Sequence, residues 1–278
     1  MRLFVGELRK LVRRPAAYVT LAIELVIVLI IYIAVAARYG SIAGTTPNQV
    51  AEKAGIRLLI EFPTAYASAL AFVTGLGGLL AMAFAAAAAG ADWGWGMVKV
   101  AVARGESRSR YILAKLAAVE VMLILGFAIA YGIALVAAIV AGRIAGLPAT
   151  GYDDQATLQD LPGQLYRGYL GIAEQASIGF AIATLARSQL AGLGAGIAIY
   201  FAEQFATIFL PDVVKYLPFH VATAALGLSG GLTAGGGANG GSGFTPLDQP
   251  TAFLLVIAYL VGGAVVSAIF VERSEISG

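Results

Sequence analysis

Six stretches of the chain stay apolar for about twenty residues or more, each bounded by turn residues or charges. They run from Ala17 to Ala37, Phe62 to Gly90, Ile112 to Ala141, Tyr166 to Leu185, Leu190 to Leu210 and Thr251 to Val271. A helix rising about 1.5 Å per residue needs roughly 20 such residues to cross a hydrocarbon layer about 30 Å thick. The pattern therefore predicts an all-α integral membrane protein with six transmembrane helices. The fourth run is the most polar, carrying Glu174, Gln175, Ser177 and Thr184. The first could be taken for a cleaved leader, since Ala34, Val35 and Ala36 suit a cleavage site. Its apolar region is longer than a leader's usual 7 to 15 or so residues and contains Glu24, so a retained span is the expectation.

The segments between the runs carry their own signals. Residues 1–15 place Phe4, Leu8 and Leu11 on one helical face and Arg2, Arg9, Lys10 and Arg13 largely off it, and Pro15 ends that helix. This predicts an amphipathic interfacial helix over 1–15, its bases toward anionic lipid, followed by a six-span domain over 16–278. Thr46, Pro47 and Gln49 predict a capped helix from Pro47 to about Leu59. The stretch PDVVKYLPFHVATAALGL, Pro211 to Leu228, is too short for two spans and too apolar for an open loop. Its two prolines predict short re-entrant helices between spans five and six, covered by protein. GGLTAGGGANGGSG, from Gly230 to Gly243, reads as a flexible loop.

Composition agrees with the spans and narrows the chemistry. Of 278 residues, 59% are apolar and 12% charged, with mean hydropathy +0.84, where soluble domains carry about 25% charged residues. There is no cysteine and one histidine, His220, which excludes disulfides and thiolate metal sites and leaves nothing from which to build a histidine metal site. No nucleotide-binding motif is present. A net charge of +2 gives no reason to expect nucleic acid as a partner.

The distribution of charge matters more than its sum. Arg2, Arg9, Lys10, Arg13, Arg14, Lys99, Arg104, Arg108, Arg110, Lys115, Arg187 and Arg273 fall on one side of the six spans; Arg38, Lys53, Arg57, Arg143, Arg167 and Lys215 fall on the other. By the positive-inside rule both termini are expected in the cytoplasm. Four carboxylates, Glu24, Glu120, Glu174 and Glu203, lie within spans, with no Lys or Arg deep enough to pair with them. At such depth an ionisable group should face the bundle interior or water, or be protonated. These four are candidates for a translocation path, or for ties between helices through hydrogen bonds. Gly192 with Gly196, and Ala71 with Gly75, form small-residue pairs suited to close helix packing, within one chain or between copies.

DWGWGMVKVAVARGESRSRYILAKL, Asp92 to Leu116, interrupts the apolar pattern with Lys99, Arg104, Arg108, Arg110 and Lys115. With Asp92 as N-cap, Trp93 to Ala103 would form a short helix carrying Trp95, Val98 and Val102 on one side and ending at Gly105. Such a helix, ringed by bases, suits the docking of another protein or simply fixes topology.

Three features here resemble the membrane subunits, or permeases, of ABC transporters of the second exporter class. They are Asp92-x-x-x-Gly96 with the apolar helix after it, the run Arg104-Gly105-Glu106-Ser107-Arg108, and Tyr111-Ile112-Leu113-Ala114-Lys115. The N-terminal GELRKLVRRP, the six-span count and the broken helices after span five are similar too, so the resemblance covers nearly the whole chain. In that class Glu often stands where this chain has Asp92. The resemblance implies an N-terminal elbow helix and a cytoplasmic coupling helix that docks on a separate ATPase. The coupling residues would be Asp92, Trp95, Val98, Lys99, Val102, Arg104 and Arg108. It further implies two ATPase subunits as partners, a second permease copy or related permease, and ATP and Mg used by the partner with no cofactor bound by this chain. The expected place is a prokaryotic cell membrane, and the expected activity is transport without catalysis by this chain. The alternative is an ion-coupled secondary transporter built on the four glutamates, although no internal repeat supports it.

Overall fold

The computed structural model describes residues 2–94, 96–103, 105–148, 150–227 and 245–274, and the predicted glycine-rich loop of 230–243 lies outside them. Eleven helices and no strand are found among the described residues: α1 (Arg2–Arg13), α2 (Pro15–Ser41), α3 (Pro47–Ile60), α4 (Thr64–Gly94), α5 (Met97–Ala103), α6 (Arg108–Ile144), α7 (Gln155–Ala186), α8 (Gln189–Phe209), α9 (Pro211–Val214), α10 (Pro218–Leu226) and α11 (Gln249–Arg273). Six of them, α2, α4, α6, α7, α8 and α11, are long and apolar enough to cross a membrane.

Local chemistry sets many of the ends. Pro15 opens α2, as its missing N–H would have no helical partner there. The Thr46 hydroxyl accepts from the Gln49 N–H at 3.3 Å, and the Gln49 side chain accepts from the Thr45 N–H at 3.0 Å, a capping arrangement displaced by one residue. The fourth span starts earlier than its apolar run: α7 begins at Gln155 because Asp154 caps it, accepting from the Thr157 N–H at 2.9 Å and the Thr157 hydroxyl at 2.6 Å. Those two bonds favour the ionised carboxyl and hold it below the usual carboxylate range. The added polar stretch contains Asp160 and Pro162, and hydropathy does not register it as helix. Asp248 caps α11 in the same way through Thr251.

Inside the bundle, α4 and α7 are the most enclosed spans and pack along each other. Their contact is close because small residues line it. A Cβ at Gly78 would lie 1.8 Å from Gln175 Oε1, and one at Gly179 would lie 2.5 Å from the Met82 carbonyl oxygen. The small-residue pair of span five works within the chain, since Gly192 rests on Ala183 and Ala86, and Gly196 on Met82. Dispersion at such short backbone separations replaces the hydrophobic drive that lipid withholds.

On one face of the bundle the end of α4, α5, the start of α6, α1 and the end of α11 come together. Arg108 donates from Nη1 to the Ser274 carbonyl at 2.6 Å, and the Ser109 N–H donates to Glu272 at 3.2 Å. This is the terminal face. Leu11, Phe84, Tyr111, Ile112, Phe180 and Val271 form the apolar core beneath it, and Val28, Tyr32, Ile60, Phe62 and Tyr131 fill the far half. The outer surfaces of α2, α8 and α11 expose Ile33, Leu190, Phe205, Phe209 and Leu254. Apolar girdles of this extent are adapted to lipid, and the chain is a multi-pass membrane protein.

Candidate functional site

Most of the unusual chemistry of the terminal face is beneath its surface. Asp92 is fully buried in the last turn of α4, not at the start of the next helix, so it does not cap α5 as the sequence predicts. Its Oδ2 accepts from the Lys115 ammonium and the Tyr111 hydroxyl, and Arg14 approaches Oδ1 at 3.3 Å. Lys115, also fully buried, faces Glu7 at 3.7 Å, and Glu7 is held by Lys10 at 2.6 Å. Lys10 in turn lies 5.8 Å from the centre of the Tyr111 ring. A charged cluster therefore ties α1, the start of α2, the end of α4 and the first turns of α6 into one unit.

Burial of these charges is tolerable because every one has an opposite charge or a phenol against it. Two residues are thereby reassigned. In this chain Lys115 and Asp92 are both enclosed in the interior, turned toward each other and away from the exposed surface. Glu7 is an unpredicted member: on a basic amphipathic helix it reads as a solvated acid, yet it lies one turn before Leu11 and is buried with it. The sequence signal was Lys115 itself, a base placed after Ile112 has opened the apolar run.

Two glycines bracket α5, Gly96 at φ 65° and Gly105 at φ 82°, a backbone region that other residues enter only with strain. The Glu106 N–H closes the helix on the Ala101 carbonyl at 3.3 Å. Ala101 packs toward the core while Val100 and Ala103 are exposed. Trp95 and Arg104 lie outside the described residues, as do the side chains of Val98, Lys99 and Val102. Arg108 is half-buried and engaged with the end of α11. The neighbouring α7–α8 turn is anchored to the same face by Arg187, which adopts φ 51° and stacks its guanidinium over Trp93 and Phe270 at 5.1 and 5.6 Å.

The four glutamates make different contacts, and Glu174 and Glu203 lie near enough to interact electrostatically. Glu203 accepts from the Phe219 N–H at 3.1 Å, the His220 N–H at 3.3 Å and meets His220 Nδ1 at 3.1 Å. A carboxylate from α8 thus supplies the cap that Leu217 cannot give α10, and the helix dipole favours its charge. Glu120 accepts from the Tyr169 hydroxyl at 3.1 Å through one oxygen, while the other is buried without a partner. Glu174 is fully buried with neither oxygen partnered, and the Gln175 carbonyl oxygen beside it is unpartnered as well. Glu24 lines a cavity of about 270 Å³ between α2, α4 and α6.

Among the described residues no group of three or more His, Cys, Asp or Glu side chains could hold a metal ion. No family model, curated protein or solved structure matches the chain.

Proposed function

We propose that this protein is the membrane-spanning permease subunit of an ATP-driven ABC exporter, working with two copies of a separate ATPase and with a second permease. On this reading α1 is the elbow helix, α5 the cytoplasmic coupling helix, and α9 and α10 the re-entrant helices between spans five and six. The observation that carries it is the mounting of α5. A seven-residue helix with exposed outer residues is hinged by two glycines, and the span that enters it is locked by Asp92 to the span that leaves it. A push on α5 is transmitted through Asp92 and Lys115 to α4, α6 and α1 together, which is the property a coupling element needs. The chain offers no nucleotide motif, and on this reading the work comes from a partner.

Expression with the ATPase encoded nearest to its gene tests this, using gentle solubilisation and gel filtration. The pair should elute together, and Val98→Glu with Arg104→Glu should release the ATPase. A pair that never associates overturns the proposal.

A second reading has one observation in its favour. The fully buried, unpartnered Glu174 carboxylate suits an ion-coupled secondary transporter, because a group so placed is ready to exchange a proton or cation. Uptake of protons or cations by vesicles without ATP, abolished by Glu174→Gln, would establish it.

A further inference from the structure

The cavity beside Glu24 has the features of a built site. Its walls come chiefly from α2, α4 and α6, with Val12 of α1 and Ile172 of α7 at its edges, and Leu80, Phe84, Met122, Leu125 and Phe127 supply an apolar lining. One charged group reaches it. Glu24 is 8% exposed, and among the described residues it makes no hydrogen bond and no ion pair. The two hydroxyls nearest along α2 are turned away: Thr20 donates to the Ala16 carbonyl at 2.9 Å and Tyr18 to the Val12 carbonyl at 2.7 Å. No Lys, Arg or His lines the cavity.

The carboxylate rests against Gly77 on the opposite wall. A Cβ at Gly77 would stand 2.8 Å from Glu24 Oε1, so a larger residue there would make the end of the acid shift. A desolvated carboxylate facing an apolar groove without a protein donor leaves its charge to be met by whatever enters. Val12, Ala17 and Tyr18 line its end nearest the terminal face, and Glu24 sits nine residues into α2, roughly 14 Å along the axis. An occupant must therefore be apolar where it meets the lining and positive where it meets Glu24.

We propose that the cavity between α2, α4 and α6 is a binding site for lipophilic cations, with Glu24 as counter-ion. This deepens the permease reading by naming a ligand class, but it rests on the geometry of one chain and is tested without any ATPase.

The experiment is saturation binding of tritiated tetraphenylphosphonium to the full chain in lipid nanodiscs, with unlabelled tetraphenylborate, of matched shape and opposite charge, as competitor. Saturable binding should be weakened by about tenfold or more in Glu24→Gln, the loss expected for a charge-assisted contact, and retained in Glu120→Gln. Tetraphenylborate should compete poorly. Unchanged affinity in Glu24→Gln, or equal competition by the borate, overturns the proposal, the second outcome marking a merely apolar groove. If Glu24→Gln fails to fold, Leu125→Trp decides: this lining residue is exposed to lipid, its enlargement should occlude the groove, and full binding there refutes the site. Failure of the ATPase to co-purify leaves this result untouched.

Discussion

Replacing Lys115 by Met should be the most destabilising polar substitution on the terminal face. The change removes a fully buried ammonium that lies against Asp92 and 3.7 Å from Glu7. Both carboxylates would remain in the interior. Asp92 would keep Tyr111 and the Arg14 contact at 3.3 Å, whereas Glu7 would keep Lys10. Stripping one partner from a buried pair costs about 3–5 kcal/mol, and the surviving partners place this case near 3. Tyr111→Phe deletes one bond to a charged acceptor and should cost about 1.5–3 kcal/mol. Lys10→Met, at a partly exposed position, should cost under about 1 kcal/mol. The assay is equilibrium unfolding of the purified protein in mixed micelles, arranged as a double-mutant cycle of Asp92→Asn and Lys115→Met. The double variant should recover about 1–3 kcal/mol of the summed single losses, because an unpaired charge is costlier to bury than no charge. Additive losses, or a Lys115→Met loss below about 1 kcal/mol, would refute the reading of a mutually dependent cluster.

Other consequences are open to measurement. Glu203→Ala should free the start of α10, raising amide exchange at Phe219 and His220 and costing about 1–2 kcal/mol; unchanged exchange would show the cap to be unimportant. Gly192→Ala, whose new Cβ would lie 2.6 Å from the Ala183 Cβ, should cost about 1–3 kcal/mol, while Gly194→Ala, in open space two residues on, should be neutral or stabilising by the helix propensity of alanine. Equal effects would argue against the packing of α8 on α4 and α7. The Asp154 carboxyl, held low by Thr157, contributes stability that is present above its unfolded-state pKa and lost as pH falls through the lower folded value. The protection factors of amides in the first turn of α7, taken against the intrinsic exchange rate at each pH, should therefore fall at acid pH in the native chain and stay constant in Asp154→Asn.

The bundle was legible from apolar run length because hydrocarbon thickness imposes that length directly. Thr46 and the break at Pro15 were legible because caps and prolines act within four residues. Asp92 was misplaced for an instructive reason: an acid before a short helix looks like an N-cap, and only the long-range meeting with Lys115, Tyr111 and Arg14 shows that α4 continues through it. Glu7 was missed on the same ground. The role of Glu203 required α8 and α10 to be seen side by side, although a hydrogen-bonding tie between helices was among the roles its type allowed. The groove beside Glu24 has no sequence signature, since its walls come from five helices far apart along the chain.

The central claim is that α5 is the surface on which outside work is delivered, and the absence of native cysteine makes it directly testable. A single cysteine at the exposed Val100 should crosslink to the co-expressed ATPase in native membranes, with a yield that changes when ATP is added. The same reagent at Ile144, exposed at the opposite end of α6, should give no adduct. An absence of adduct at Val100, or equal labelling at both positions, would contradict the account.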